Sequence, residues 1–137
     1  MAATLKLEIV TPEAKVFSAD VEMVTLTGTE GEMGIYPQHM PLMTQLVAGE
    51  ITARKDGENI YLAVGEGFVQ ITGTAVSVLT DMAIKAQDID EAKVEQARTK
   101  AESRLNQKLS AEEIATVEAS INHATTQLTI KRKRVAK

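Results

Sequence analysis

The chain has 137 residues, no cysteine and a formal net charge of −4. That length suits a single domain with an appendage and a core of real size, while the lack of thiols excludes a disulfide framework, a thiolate metal site and a cysteine nucleophile. With 44% hydrophobic but only 3% aromatic residues, the core must be built from Val, Ile, Leu, Met and Ala.

Charge is unevenly spread. The run from Lys131 to Lys137 carries five of the 15 basic residues, leaving 10 against 19 acidic ones before it, so an acidic body bears a basic tip. No stretch approaches the ~18 apolar residues of a membrane-spanning helix, and the N-terminal segment lacks a basic run followed by an apolar one. The expectation is a soluble chain without direct membrane insertion.

From Leu5 to about Lys85 the pattern has period two. Leu5, Leu7 and Ile9 alternate with Lys6 and Glu8, as a half-buried strand requires. Val21, Met23 and Thr25 then sit opposite Glu22, Val24 and Leu26. Next comes the most constrained stretch, residues 28–44, with Gly28, Gly31, Gly34, Pro37 and Pro41. Glycines can take positive φ and prolines fix theirs, so a rigid, shaped loop is expected there, where binding surfaces tend to sit.

Asp56-Gly57 predicts a hairpin between Ile51–Lys55 and Asn59–Val64, and Thr72-Gly73-Thr74 predicts another between Phe68–Ile71 and Ala75–Leu79. Ile60, Leu62 and Val64, then Phe68 and Gln70, continue the alternation. Eight to ten strands arranged as an antiparallel β-sandwich or flattened barrel are predicted.

After Asp88 glycine and proline disappear, and Ala, Glu, Lys, Gln and Arg dominate. Two helices are predicted. Asp88-Ile-Asp-Glu91 resembles a capping box, Ser110-Ala-Glu-Glu113 fits one, and a turn is expected near Asn106 to Leu109. Ile114, Val117, Ile121, Ala124 and Leu128 form an apolar stripe on the second helix, and Val94, Ala97, Ala101 and Leu105 form a small-residue face on the first. So few large apolar side chains cannot stabilise the helical hairpin alone, so it must lie on the sandwich or be captured by a partner. The fold class is α+β: a sandwich over 1–86 and an antiparallel two-helix hairpin over 87–137.

Candidate chemistry is sparse. His39 has no histidine nearby and no HxH or HExxH spacing, so it is read as bonding its own turn or a partner, and no metal is assigned. His123 lies one step off the apolar stripe and is expected to be exposed. Glu30 and Glu32 are read as solvated turn residues, not as an acid and base pair of a hydrolase. Gly65-Glu-Gly67 lacks both the third glycine and the following helix of a phosphate loop. Lys131 to Arg134, without interleaved aromatics on an acidic chain, suit a helix C-terminus or an acidic protein surface better than a nucleic acid.

The run Gly34-Ile-Tyr-Pro-Gln-His-Met-Pro-Leu-Met-Thr44 lies after Leu7-Glu-Ile-Val-Thr-Pro-Glu13 and before Asp88-Ile-Asp-Glu-Ala92. Together these resemble the epsilon subunits of bacterial F-type ATP synthases over essentially the whole chain. The resemblance implies a non-catalytic central-stalk subunit of a rotary motor, peripheral on the cytoplasmic face of the plasma membrane. Its sandwich would bind the gamma subunit and the c ring, coupling ion flow to ATP synthesis. A ring- or gamma-facing loop would comprise Glu32, Gly34, Tyr36, Pro37, His39 and Pro41. The hairpin would be a mobile regulatory domain that, when extended, meets the alpha and beta subunits through Lys131, Arg132, Lys133 and Arg134 and restrains ATP hydrolysis.

One motif departs from the family. Nucleotide-sensing members carry Ile/Leu-Asp-x-x-Arg-Ala, where this chain has Ile89, Asp90, Lys93 and Val94. Lysine lacks the planar fork of arginine, and valine adds bulk. No cofactor is therefore expected, and ATP at Ile89, Asp90 and Lys93 would bind weakly; the alternative function is a free-standing ATP-sensing module.

Overall fold

The computed structural model describes residues 3–135; Lys137 of the basic tip lies outside them. Ten strands come first: β1 (Leu5–Val10), β2 (Lys15–Val21), β3 (Met23–Gly28), β4 (Gly31–Ile35), β5 (Leu42–Leu46), β6 (Gly49–Lys55), β7 (Glu58–Val64), β8 (Gly67–Ile71), β9 (Ala75–Thr80) and β10 (Ala83–Lys85). A 3-10 turn, Ala86–Asp88, leads into helices α1 (Glu91–Arg104) and α2 (Ala111–Val135). The architecture is the predicted antiparallel sandwich followed by a helical hairpin.

Strand order is β10-β7-β6-β3-β5-β8-β9-β1-β2, with β4 on the other edge of β3. Every pairing is antiparallel except β1 with β9. The sheet folds over at β3, where Met23–Thr25 pair with β6 and Gly28 pairs with Leu46 of β5. Two layers result, β10-β7-β6 and β5-β8-β9-β1-β2. Between them lies one apolar core, including Leu7, Ile9, Leu26, Ile35, Ile51, Leu62, Val69 and Val78.

The alternation of β1 places Leu5, Leu7 and Ile9 inside, as expected. Beyond β2 the parity breaks. Val21 is buried, but a bend at Glu22 shifts the phase, so Val24 and Leu26 are buried while Met23 and Thr25 are only half-buried. Phe68 and Gln70 likewise point outward, because Gly65–Gly67 resets the alternation and Val69 and Ile71 take the core positions.

The Asp56-Gly57 turn has φ of 53° and 79°, the left-handed pair that a two-residue hairpin uses. Residues 28–44 differ from the expected single loop. Gly31–Ile35 forms β4, hairpinned on β3 with Gly28 opposite Gly31, so Gly28 and Gly34 are strand residues. Only Gly31 of the three takes positive φ, at 121°. The true connection is Tyr36–Pro41, where Gln38 takes φ of 68° and donates its N–H to Gly73 O at 2.7 Å.

Both helices have side-chain caps. Asp90, not Asp88, caps α1 by accepting from Lys93 N at 3.2 Å, because Asp88 is taken up in the 3-10 turn. Ser110 and Glu113 form the reciprocal box: Glu113 N–H donates to Ser110 Oγ at 3.2 Å and Ser110 N–H to Glu113 Oε1 at 3.1 Å. The Ser110 hydrogen bonds hold the Glu113 carboxyl below its ordinary value of 4.5. That contribution is present above the ordinary value and is lost as the pH falls through the lowered one.

No residue of α1 is fully buried, and Ala97 and Leu105 of its expected small-residue face are exposed; Val94, Glu95, Arg98 and Ala101 are the half-buried positions. On α2, Val117, Ala124 and Leu128 are buried, Ile121 is half-buried and Ile114 is exposed.

The sandwich core draws all its buried members from strands. A chain cut after Ala86 is expected to keep its strand content and melt cooperatively by circular dichroism; a flat, non-cooperative trace would contradict this. Ser110→Ala should destabilise the hairpin by about 1 kcal/mol without changing the sandwich, read as faster amide exchange confined to the first turns of α2.

Candidate interaction surfaces

Antiparallel strands present one face inward and one outward, so each layer has an outer face. On β10-β7-β6 that face carries Ala63, Tyr61 and Ile84, and the hairpin covers it. Ala63, Ala86, Ile89 and Ile130 form a second buried cluster, flanked by Tyr61, Ile84 and Val94. The basic end of α2 borders this contact. Arg134 donates from Nε to Glu50 Oε2 at 2.7 Å and from Nη2 to Oε1, while its guanidinium lies 3.8 Å from the centre of the Tyr61 ring. The Glu50 hydrogen bonds hold Arg134 more firmly protonated than usual.

Lys131 donates to Ala86 O at 3.1 Å, at the start of the 3-10 turn. Arg132 bridges Glu91 (2.6 Å) and Glu95 (2.9 Å) of α1, and Lys133 lies 3.8 Å from Glu50. All four basic positions singled out in the sequence therefore meet partners within the chain in this conformation.

His123 departs from the expectation of exposure. Its ring is half-buried and its Nε2 stands 3.1 Å from Asp81 Oδ2, bridging α2 to the β9–β10 turn. Gly65 makes room for the pair, since a Cβ there would come within 1.9 Å of Asp81 Oδ1. Nothing in the local pattern marks Asp81 as its partner.

The outer face of the second layer has no helix on it. Phe68 of β8 stands opposite Leu79 of β9, and Met43 of β5 is the diagonal neighbour, opposite Gln70. Their exposures are 53%, 60% and 67%. Large apolar side chains paired across strands and left in water mark an interaction site. The sequence contained the signal, apolar residues on both parities of β8, but the assumption of continuous alternation hid it.

The Tyr36–Pro41 connection adjoins this face. Tyr36 (60%) and Met40 (79%) are exposed, as are Glu32, Gly34 and Pro41, whereas Pro37 and His39 are half-buried. The His39 ring donates from Nδ1 to Met40 O at 2.6 Å, stiffening its own turn. Glu32 stands apart from this connection: it lies on β4 opposite Thr27, whose carbonyl accepts from Val47 N at the Leu46–Gly67 end of β5 and β8, whereas Gln38 meets Gly73 at the other end.

The proposed nucleotide residues serve the fold. Ile89 is buried beneath the hairpin, the Asp90 carboxylate caps α1, and Lys93 is exposed on that helix. Among the described residues no group of three or more His, Asp or Glu side chains could hold a metal ion, and no helix is long and apolar enough to cross a membrane.

Two family models match the chain: "ATP synthase, Delta/Epsilon chain, beta-sandwich domain" over residues 4–86 and "ATP synthase, Delta/Epsilon chain, long alpha-helix domain" over residues 87–131. Curated ATP synthase epsilon chains are similar over most of the chain. That of Dehalococcoides mccartyi is 42% identical, over 96% of this chain and 95% of its own. That of Herpetosiphon aurantiacus is 38% identical, over 95% and 96%, and that of Bacillus subtilis 40%, over 75% and 78%. A chain of the Euglena gracilis mitochondrial ATP synthase, in an OSCP/F1/c-ring structure, shares the fold with a TM-score of 0.69 at 19% identity, over 98% of this chain and 82% of that one.

Two strand glycines, Gly67 of β8 beneath the bare face and Gly49 of β6 in the other layer, supply a test. A Cβ on Gly67 would fall 1.9 Å from Leu79 O, whereas nothing lies within 4 Å of one on Gly49. Gly67→Ala is expected to cost about 1–3 kcal/mol by forcing β8 from β9, and Gly49→Ala to be nearly neutral, as read from thermal melting. Equal effects would contradict the packing described.

Proposed function

This chain belongs to the delta/epsilon family of ATP synthase subunits, and on that premise we propose that it works as a central-stalk rotor subunit. In this reading the bare face bearing Met43, Phe68 and Leu79 packs on the gamma subunit. Glu32, Gly34, Tyr36, Pro37, His39 and Pro41 face the c ring or gamma. The single observation that carries the reading is that uncovered apolar face: large apolar side chains clustered in water mark a surface that another chain covers.

Coupling to the ring demands stiffness, because torque passing through a yielding contact is lost. The Tyr36–Pro41 connection has the required restraints: two prolines, the Gln38 tie to Gly73 and the His39 bond to Met40. Glu32 is suited to pairing with basic ring loops. No catalytic role falls to any of these residues, and the chain's contribution to ATP synthesis is mechanical. It acts on the cytoplasmic face, peripheral to the membrane.

The hairpin is the regulatory part. It rests on the sandwich through the second half of α2 with Val94 of α1 beside it, and it can leave without opening the core. When extended, it would bring Lys131 to Arg134 against acidic segments of the alpha and beta subunits and restrain hydrolysis. No cofactor is proposed, since Asp90 and Ile89 already have structural partners.

Co-purification of the tagged chain with gamma and the c ring tests the reading, with stoichiometric recovery expected. Phe68→Glu and Leu79→Glu should leave the isolated chain folded yet reduce gamma recovery at least tenfold, as two charges buried without partners would. Undiminished recovery would place gamma elsewhere.

A further inference from the structure

The basic tip and its acidic partners stand in an arrangement that goes beyond simple docking. Glu50 is the second residue of β6, opposite Ala63 on the covered outer face. Its side chain and that of Arg134 are each only 15% exposed. The two form a forked, two-point contact, the strongest geometry open to a guanidinium and a carboxylate. Tyr61 closes the guanidinium from the flat side. Arg132, meanwhile, spans Glu91 and Glu95, two carboxylates one helical turn apart on α1.

We propose that Glu50 is an internal decoy: docked, it occupies the carboxylate-binding fork of Arg134, and the tip can offer that fork to an acidic partner only after Glu50 lets go. This rests on the hairpin being mobile, and it adds what sets its rest position. A guanidinium whose fork is filled cannot offer the same donors to a second carboxylate. Docking and partner binding are therefore mutually exclusive at the level of individual hydrogen bonds, and Glu50 is the residue that sets the balance.

Glu50 has this weight because of where it sits. Glu91 and Glu95 belong to the hairpin itself and travel with α2 if the two helices move together. Lys131 meets only backbone carbonyls, and the Asp81–His123 pair is more exposed than the Glu50–Arg134 pair. Glu50 is thus the carboxylate of the rigid sheet that holds the mobile tip by a two-point contact, supported at longer range by Lys133.

The chain has no native cysteine, so paired spin labels at Thr74→Cys and Gln107→Cys can report the hairpin's position in the full-length isolated chain. Glu50→Gln is expected to raise the ratio of undocked to docked molecules roughly tenfold, as loss of a charged hydrogen-bonded partner would. The charge swap Glu50→Arg with Arg134→Glu should restore the docked distance. In parallel, a labelled helical peptide with glutamates four residues apart should bind Glu50→Gln several-fold more tightly than the unaltered chain. An unchanged distance distribution in Glu50→Gln, a swap that fails to restore docking, or a peptide affinity that does not rise when the hairpin opens would each overturn the proposal. None of these readouts involves gamma or the ring, so failure here would leave the rotor reading standing, and failed co-purification would leave the decoy standing.

Discussion

A sheet folded into two layers has two outer faces, and this chain has one hairpin with which to cover them. The period-two pattern that puts Leu7, Ile9, Val69 and Val78 in the core leaves Ala63 and Tyr61 facing outward on one side and Phe68 and Leu79 on the other. The hairpin takes the first face. The second stays apolar and open, and that asymmetry organises everything else about the molecule: one face meets its own chain conditionally, and the other is shaped for another chain.

The two contacts differ in physical character. Phe68, Leu79 and Met43 are held by a strand ladder running from β5 through β8 to β9, so the open face is as rigid as the core beneath it. The hairpin contact has only a few buried apolar side chains, namely Ala63, Ala86, Ile89 and Ile130, bordered by ion pairs. Such ion pairs add direction and reversibility more than stability. A rigid surface suits mechanical transmission, and a lightly held one suits regulation.

Much of this was legible in residue order. The Asp56-Gly57 turn, the Ser110–Glu113 box, the alternation of β1 and the change of period after Asp88 each follow from local chemistry, and each appears where the spacing puts it. What was hidden lay at interruptions and over long separations. The bend at Glu22 and the reset at Gly65–Gly67 change strand parity without changing composition, which turned Phe68 outward. Gly28 and Gly34 looked like loop residues but serve in strands, because a hairpin packed against β5 also favours small side chains: a Cβ on Gly28 would lie 3.2 Å from Gln45 O. The pairing of Arg134 with Glu50 spans 84 positions, and that of His123 with Asp81 depends on how the helix lands. No local pattern encodes either one.

The central claim is that a rigid sandwich and a separately releasable hairpin share one chain. Native-state amide hydrogen exchange on the full-length protein under mild denaturant reads this directly, because sub-global openings appear as groups of amides with a common, lower opening energy. Amides of α2 are predicted to exchange through an opening well below that of β1, β8 and β9, with the strands protected until global unfolding. A single opening energy shared by α2 and the sheet would contradict it.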